Sequence, residues 1–291
     1  SLLAWSPVEE IDDNVENGEE YTVQSLAELG RAIEKEDRAH PTVTIHIAPW
    51  INVAEAEARL RGKNLKTVVF DLYVFADVHD WTSEGYAYKT NQEATQGLLD
   101  WSAKYEDFGR RHGVDVWAMF QSNQTRWVKR VGPEGRTEER NNFRMPGAAE
   151  MRFQIWTAAL SGMKGVFFFQ YGSNPQPPME TRADLQEWEY GIGMRSLDGE
   201  PTASHSGLAQ ATAEIGPFLS LIGRLLPDGP IQEDEMILNR PFRDRSNGDR
   251  YEMMVNRNLG LAGAIPDSMA KRLGMASGDS LPPGGGRLIK H

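Results

Sequence analysis

The sequence contains no cysteine, which excludes disulfides, thiolate nucleophiles and metal centres built on sulfur. It also lacks any apolar run near the roughly 18 to 20 residues that a helix needs to cross a bilayer. Its densest apolar stretch, Gly165 to Phe169, has only the length of a strand. No leader-like segment is read at Ser1. Positive charge is in deficit: 31 Lys and Arg stand against 42 Asp and Glu, a formal net charge of −11. Such a field repels polyanions, so nucleic acid is not an expected partner. Histidine is sparse, and His40, His46, His79, His112, His205 and His291 follow no metal-ligand spacing, so no metal centre is expected. Glycines are plentiful, 28 in all. Even so, no glycine-rich nucleotide-binding string and no nucleophile elbow stands where a strand opens into a helix, and no cofactor is expected.

What is present is an ordinary folded chain. Its 291 residues, 40% hydrophobic and 25% charged, suffice for one large α/β domain with a small appendage, or for two ordinary domains. Up to about residue 228, short apolar runs alternate with amphipathic stretches, the pattern of strand and helix units under a parallel sheet. The strands read at Leu2 to Trp5, Thr42 to Ala48, Thr67 to Phe75, Val114 to Gln121 and Gly165 to Tyr171. Helices read at Thr22 to Arg38, Val53 to Arg61 (closed by Gly62), Gln92 to Arg111, Ala148 to Ser161 and Ser206 to Leu225. A loop rich in Arg, Glu, Gly and Asn is expected between Gln121 and Ala148. From residue 229 to 291 the helical period disappears. Met236 to Asn239, Tyr251 to Asn256 and Arg287 to Ile289 read there as strands of a small sandwich-like module.

Polar groups at strand ends are the candidate chemistry. Trp5-Ser6-Pro7-Val8-Glu9-Glu10 sets two carboxylates directly after a strand, where parallel α/β architectures present their sites. Burial beside Trp5 and the like charge of Glu9 would raise Glu10 toward a general acid; the alternative is a solvated acidic loop, since acidic residues continue to Glu20. Asp71 lies in the otherwise apolar run Val68 to Tyr73, and is either a site residue or the structural partner of an arginine such as Arg126 or Arg152. Gln121 ends the fourth strand, and Asn123 and Arg126 follow it. Amides there offer donors and acceptors to sugar hydroxyls, and Trp and Tyr stack on the apolar faces of sugar rings; the alternative is a polar turn. The fifth strand ends in Gln170 and Tyr171, which can line the same site.

This order of features resembles the second half of a (β/α)8 TIM-barrel glycoside hydrolase, of the broad clan A group of β-galactosidase-like and agarase-like enzymes that carry an accessory β-sandwich. Trp5 to Ile11 resembles the strand-four segment whose Glu is the acid/base, which puts that role on Glu10. Leu26 to Pro41 is similar to the helix and turn that lead into strand five. Thr67 to Phe75 is similar to strand six with its Asp-x-Tyr, Val116 to Gln121 to strand seven, and Glu150 to Tyr171 to the last helix and strand eight. The resemblance implies a carbohydrate partner and an exported or periplasmic protein. It also implies an N-terminal barrel half of about 100 to 150 residues, missing from this chain or supplied by another. Residues 1–228 would be the barrel part and 229–291 the accessory module. Glu10 would be the general acid with Glu9 tuning it, and Asp71 the second carboxylate. Trp50, Tyr73, Trp117, Gln121, Asn123, Arg126 and Tyr171 would hold the sugar. The family's nucleophile, a Glu at the end of strand seven, is here Gln121, which cannot form a glycosyl ester. Either Asp71 takes part, as nucleophile or as base on a water, or the site does not hydrolyse by the retaining route; the rival reading is a noncatalytic glycan-binding or structural relative with the same barrel.

Overall fold

The computed structural model describes residue 6 and residues 23–40, 42–76, 90–131, 136–173, 187–234 and 236–291. The expected first strand, Leu2 to Trp5, and the acidic loop with Glu9 and Glu10 lie outside the described residues. In chain order the elements are α1 (Val23–Glu36), β1 (Val43–Ile47), α2 (Ile51–Arg61), β2 (Thr67–Leu72), α3 (Asn91–His112) and β3 (Asp115–Gln121). There follow β4 (Gln124–Val131), β5 (Arg136–Phe143), α4 (Ala148–Leu160), β6 (Gly165–Phe169), β7 (Glu187–Ile192), α5 (Ala203–Ile215) and the single turn α6 (Leu219–Ile222). The C-terminal part adds β8 (Leu225–Pro227), β9 (Gln232–Asp234), β10 (Ile237–Asp244), β11 (Arg250–Asn256), β12 (Gly263–Ala264), α7 (Asp267–Arg272), β13 (Ser280–Leu281) and β14 (Gly286–Lys290). The fold is mixed α/β with a parallel sheet and a β-rich C-terminal part. The chain divides into two compact units, one made of Ser1–Leu72, Leu99–Phe120 and Ser161–Phe167, the other of Tyr73–Leu98, Gln121–Leu160 and Phe168–His291.

The first unit is built on the parallel sheet, whose strands follow in the order β1-β2-β3-β6. β1 and β2 pair from Val43–Thr67 to Ile47–Asp71, and β2 and β3 from Thr67–Asp115 to Leu72–Phe120. Lys164 N–H donates to the Val116 carbonyl at 3.0 Å, and further along Ser122 N–H donates to that of Phe169 at 2.8 Å; the numbers rise together, so β6 also runs parallel. Among the described residues the sheet has four members and does not close into a ring. β2 is buried along its whole length, whereas β6 is only partly buried. Phe70 stacks on Tyr105 of α3 at 4.6 Å, and Tyr105 in turn meets Phe108. Since side chains alternate along a strand, Asp71, one residue on from Phe70, takes the opposite face.

The helix-covered face of β1 is polar instead. Thr44 Oγ1 donates to Glu57 Oε2 at 2.8 Å, a His46 ring nitrogen lies 3.0 Å from the same oxygen, and Arg61 Nη1 donates to Oε1 at 2.9 Å. Arg61 also reaches Glu34 of α1 and Thr42. The Glu57, His46 and Arg61 side chains are fully buried. Buried charges persist only when paired and hydrogen-bonded, and here α1, α2 and β1 each supply partners. Gly62, at φ 54°, ends α2 and bonds back to the Ala58 carbonyl, a positive-φ stop that a side chain disfavours.

In the second unit, α3 opens on a capping box: Thr90 N–H donates to Glu93 Oε2 at 3.0 Å and Glu93 N–H to Thr90 Oγ1 at 3.1 Å. The loop expected between Gln121 and Ala148 is instead largely the hairpin β4–β5, joined by β7 in the order β5-β4-β7. The helix expected over Ser206 to Leu225 starts at Ala203 and breaks at Gly216-Pro217, since proline cannot donate into a helix interior. The C-terminal part is an antiparallel sheet, β14-β11-β10-β8 with β9 also on β10. Its core joins Ile237 and Met254 of the sheet to Met269 and Ala270 of α7, Leu273 just after it, and Leu281 of β13, so the facing layer is a helix and a short two-stranded sheet. The whole sits on α4. Arg240 caps the end of that helix, its Nη1 donating to the Leu160 carbonyl at 3.1 Å. A Cβ on Gly284, which has φ 64°, would lie 1.9 Å from the Ala149 carbonyl oxygen; only glycine lets this turn lie against α4.

Candidate functional site

The carboxyl end of β3 carries the densest polar arrangement. Gln121 is fully buried. Its Oε1 accepts Phe75 N–H at 2.8 Å, and its Nε2 donates to the carbonyls of Phe75 at 3.2 Å, Asn123 at 3.2 Å and Arg144 at 2.7 Å. Its own main chain is held by the buried Gln154 of α4, which accepts Gln121 N–H at 3.1 Å and donates to its carbonyl at 2.9 Å. Arg144 N–H donates to the Phe75 carbonyl at 3.0 Å. The Arg144 guanidinium pairs with Glu150 and donates to Asn91 Oδ1 at 2.9 Å. Every polar atom of the Gln121 side chain is therefore engaged by main chain.

The residues just beyond are in the opposite condition. Asn123 is fully buried, and neither its Oδ1 nor its Nδ2 has a hydrogen-bond partner among the described residues. The same holds for Thr125 Oγ1 and Gln170 Nε2. Gly191 of β7 pairs with Thr125 across the ladder, and a Cβ built on Gly191 would come within 3.0 Å of Gln170 Nε2. The Gln170 amide thus reaches the β4–β7 ladder at Thr125. Each buried polar group left unmade costs about 1–3 kcal/mol, and such groups in a native fold mark a water, an ion or a functional role. Aromatic groups stand in the same unit. Tyr73 stacks on Phe169 at 5.8 Å and meets Phe143 edge-on at 5.4 Å. Tyr171 is 61% exposed. Arg126 is half-buried on β4.

In the first unit, Asp71 is 4% exposed in the penultimate position of β2, between Ile47 and Met119 in the register. Trp117, two residues before Met119 on β3, shares that sheet face, with its ring 5.5 Å from that of Phe167. Trp50 closes the turn Ala48–Trp50 and packs against Leu26 and Val53. Glu9 and Glu10 lie outside the described residues. Among the described residues no group of three or more His, Asp or Glu is arranged to hold a metal ion, and no helix is long and apolar enough to cross a membrane.

The fold has likenesses among solved structures. AbfB, a family 51 α-L-arabinofuranosidase from Bifidobacterium longum, aligns at 11% identity with a TM-score of 0.45, over 100% of this chain and 65% of that one. The chain thus spans about two thirds of that protein's length. No protein-family model matches the sequence, and no curated protein matches it.

Sequence reasoning read Gln121 and Asn123 as one polar group, whereas the structure separates a saturated amide from an unsatisfied one. It named no role for Thr125, Arg144 or Gln154. An amide directly after an apolar strand, as at both Gln121 and Gln170, was the available signal. One carboxyl elsewhere is raised: burial lifts Glu214 of α5 above its ordinary 4.5, against the opposing effects of Arg152, 3.6 Å away, and Trp156.

Proposed function

We propose that the chain is a glycoside hydrolase-like protein that binds a polysaccharide or oligosaccharide, with Asn123, Thr125 and Gln170 as the hydrogen-bonding groups of the second unit. The observation that carries this reading is the Asn123 amide, both of whose polar atoms are buried and have no hydrogen-bond partner among the described residues. A carboxamide donates and accepts side by side, which suits a pair of neighbouring sugar hydroxyls, and Tyr171 supplies an exposed aromatic ring for the apolar sugar face. Gln121 is given a positioning role, holding the Phe75, Asn123 and Arg144 main chains while Asn123 meets the ligand.

Hydrolysis is the second reading, favoured by Asp71, a nearly buried carboxylate close to the carboxyl end of a parallel strand. In it Glu10 protonates the leaving oxygen and Asp71 is nucleophile or activates a water, with acid/base assistance of about 10²–10⁴ in rate. Calorimetric titration with neutral oligosaccharides of several linkages tests the binding. Wild type is expected to bind at least one of them, and Asn123→Ala to bind it tenfold or more weakly; equal affinity refutes the assignment. Reducing-end release by wild type, Asp71→Asn and Glu10→Gln tests the cleavage, which is refuted if both variants act at the wild-type rate.

A further inference from the structure

The second unit also contains a cavity of about 340 Å³, lined by the first turns of α3 and by the loop after β11. This is within the range of small-molecule sites, and no role described above uses it. Its walls are held from behind. Asn91 Oδ1 accepts from Arg144 at 2.9 Å. Arg257 donates from Nη1 to Glu233 and from Nη2 to Gln96, both at 2.8 Å, and Asn258 Oδ1 accepts Gly260 N–H and Leu261 N–H, both at 2.9 Å. Met236 and Leu259 supply apolar surface beside these polar groups. Walls fixed in this way lose little entropy when a ligand arrives.

We infer that this cavity is a second carbohydrate-binding pocket, taking one uncharged sugar residue of the same glycan. The inference rests on the glycan reading above. A lining of amides and apolar side chains matches a ligand with hydroxyls on its rim and apolar faces, which a sugar ring has. The charge balance selects a neutral ligand: Arg257 is the lining cation and Glu233 already pairs with it, so a phosphate or carboxylate would have to compete for a guanidinium in use. The cavity volume admits a single ring, so a polymer would be held here by one residue or by its end. Asn91 is bonded to Arg144, whose carbonyl is bonded to Gln121, so one continuous hydrogen-bonded path joins this pocket to the residue that positions Asn123.

Gly260 allows a clean test. A Cβ there meets only Asn258 Oδ1, at an ordinary 3.6 Å, so Gly260→Phe projects a ring into the cavity without straining the backbone. The full chain, isotope-labelled, is titrated with glucose, galactose, arabinose, xylose and short neutral oligosaccharides, and amide resonances are followed. We expect at least one sugar to shift Thr95, Leu259 and Gly260 with saturation in wild type. Those shifts should fall at least tenfold at equal concentration in Gly260→Phe and persist in Asn123→Ala. Absence of any shift at Thr95 and Leu259 across the panel, or unchanged shifts in a folded Gly260→Phe, overturns the pocket. Failure of the main reading is seen separately, as absent shifts at Asn123, Thr125 and Gln170. A Leu259→Trp variant, which fills the same cavity from the neighbouring lining residue, provides the same readout should Gly260→Phe not fold.

Discussion

Gln121 bonds to Phe75 as a neighbouring strand would, its side-chain Oε1 accepting that residue's N–H at 2.8 Å and its Nε2 donating to the same residue's carbonyl at 3.2 Å. One side chain thereby completes the main-chain bonding of the segment that leaves β2. The further donations to the Asn123 and Arg144 carbonyls tie together three stretches of chain far apart in sequence. Nε2 faces carbonyl oxygens only, so this position requires a donor.

A carboxylate at residue 121 would turn those donations into repulsions. Gln121→Glu is therefore expected to destabilise the fold at neutral pH by about 3 kcal/mol or more, the cost of an uncompensated buried charge, and to restore no hydrolysis. Its folded pKa would be raised above the ordinary value near 4.3. The variant's stability is then greatest below that value and is lost as pH rises through the folded pKa. Denaturant melts of wild type and variant at pH 4 and pH 7 measure this; a gap that does not widen at pH 7 refutes it.

Asn123 presents the reverse case. Removing a buried amide that lacks partners among the described residues should relieve a penalty of about 1–3 kcal/mol. Asn123→Leu, close in size, is expected to raise the melting temperature while weakening sugar binding, as functional groups held unsatisfied commonly trade stability for activity. A loss of stability without ligand would mean that the amide already has a partner.

The Glu57 network predicts an acid limit for the first unit. Burial, the largest influence on Glu57, pushes its pKa up, but His46, Arg61 and Thr44 outweigh it and hold the carboxyl below its ordinary 4.5. A lowered folded pKa contributes stability that is fully present above 4.5 and is lost as pH falls through the folded value. Glu57→Gln should cost about 3–5 kcal/mol at pH 7, because Arg61 loses its buried partner, and should narrow the difference from wild type toward pH 3. Thermal melts across that range decide it, and a difference independent of pH would refute the assignment.

Asp244 gives the C-terminal sheet a comparable dependence. Side-chain and main-chain bonds from Ser246, at 2.7 and 2.8 Å, followed by Arg224, lower its pKa from 3.8 to about 2. Its contribution is present above 3.8 and disappears as pH falls toward 2. Asp244→Asn should melt earlier than wild type at pH 7 and together with it near pH 2, as read by circular dichroism.

Much of the framework was legible in the sequence. Short apolar runs announced β1 to β3, Gly62 marked the end of α2, and alternating strand and helix units announced a parallel sheet. The hairpin β4–β5 was not legible, because Arg136 to Phe143 has almost no apolar residue for a period of two to arrange; its pairing rests on main-chain bonds that any side chains permit. The amides at the ends of β3 and β6 were visible as residues, but their roles were not. Gln121 finds its partners 46 and 23 positions away, and Asn123, two residues on, finds none among the described residues. Periodicity over a few residues settles which segments become strands and helices, since that choice is local. Which polar group is saturated and which has no partner among the described residues depends on main-chain atoms brought together from distant segments, so only the tertiary structure decided it.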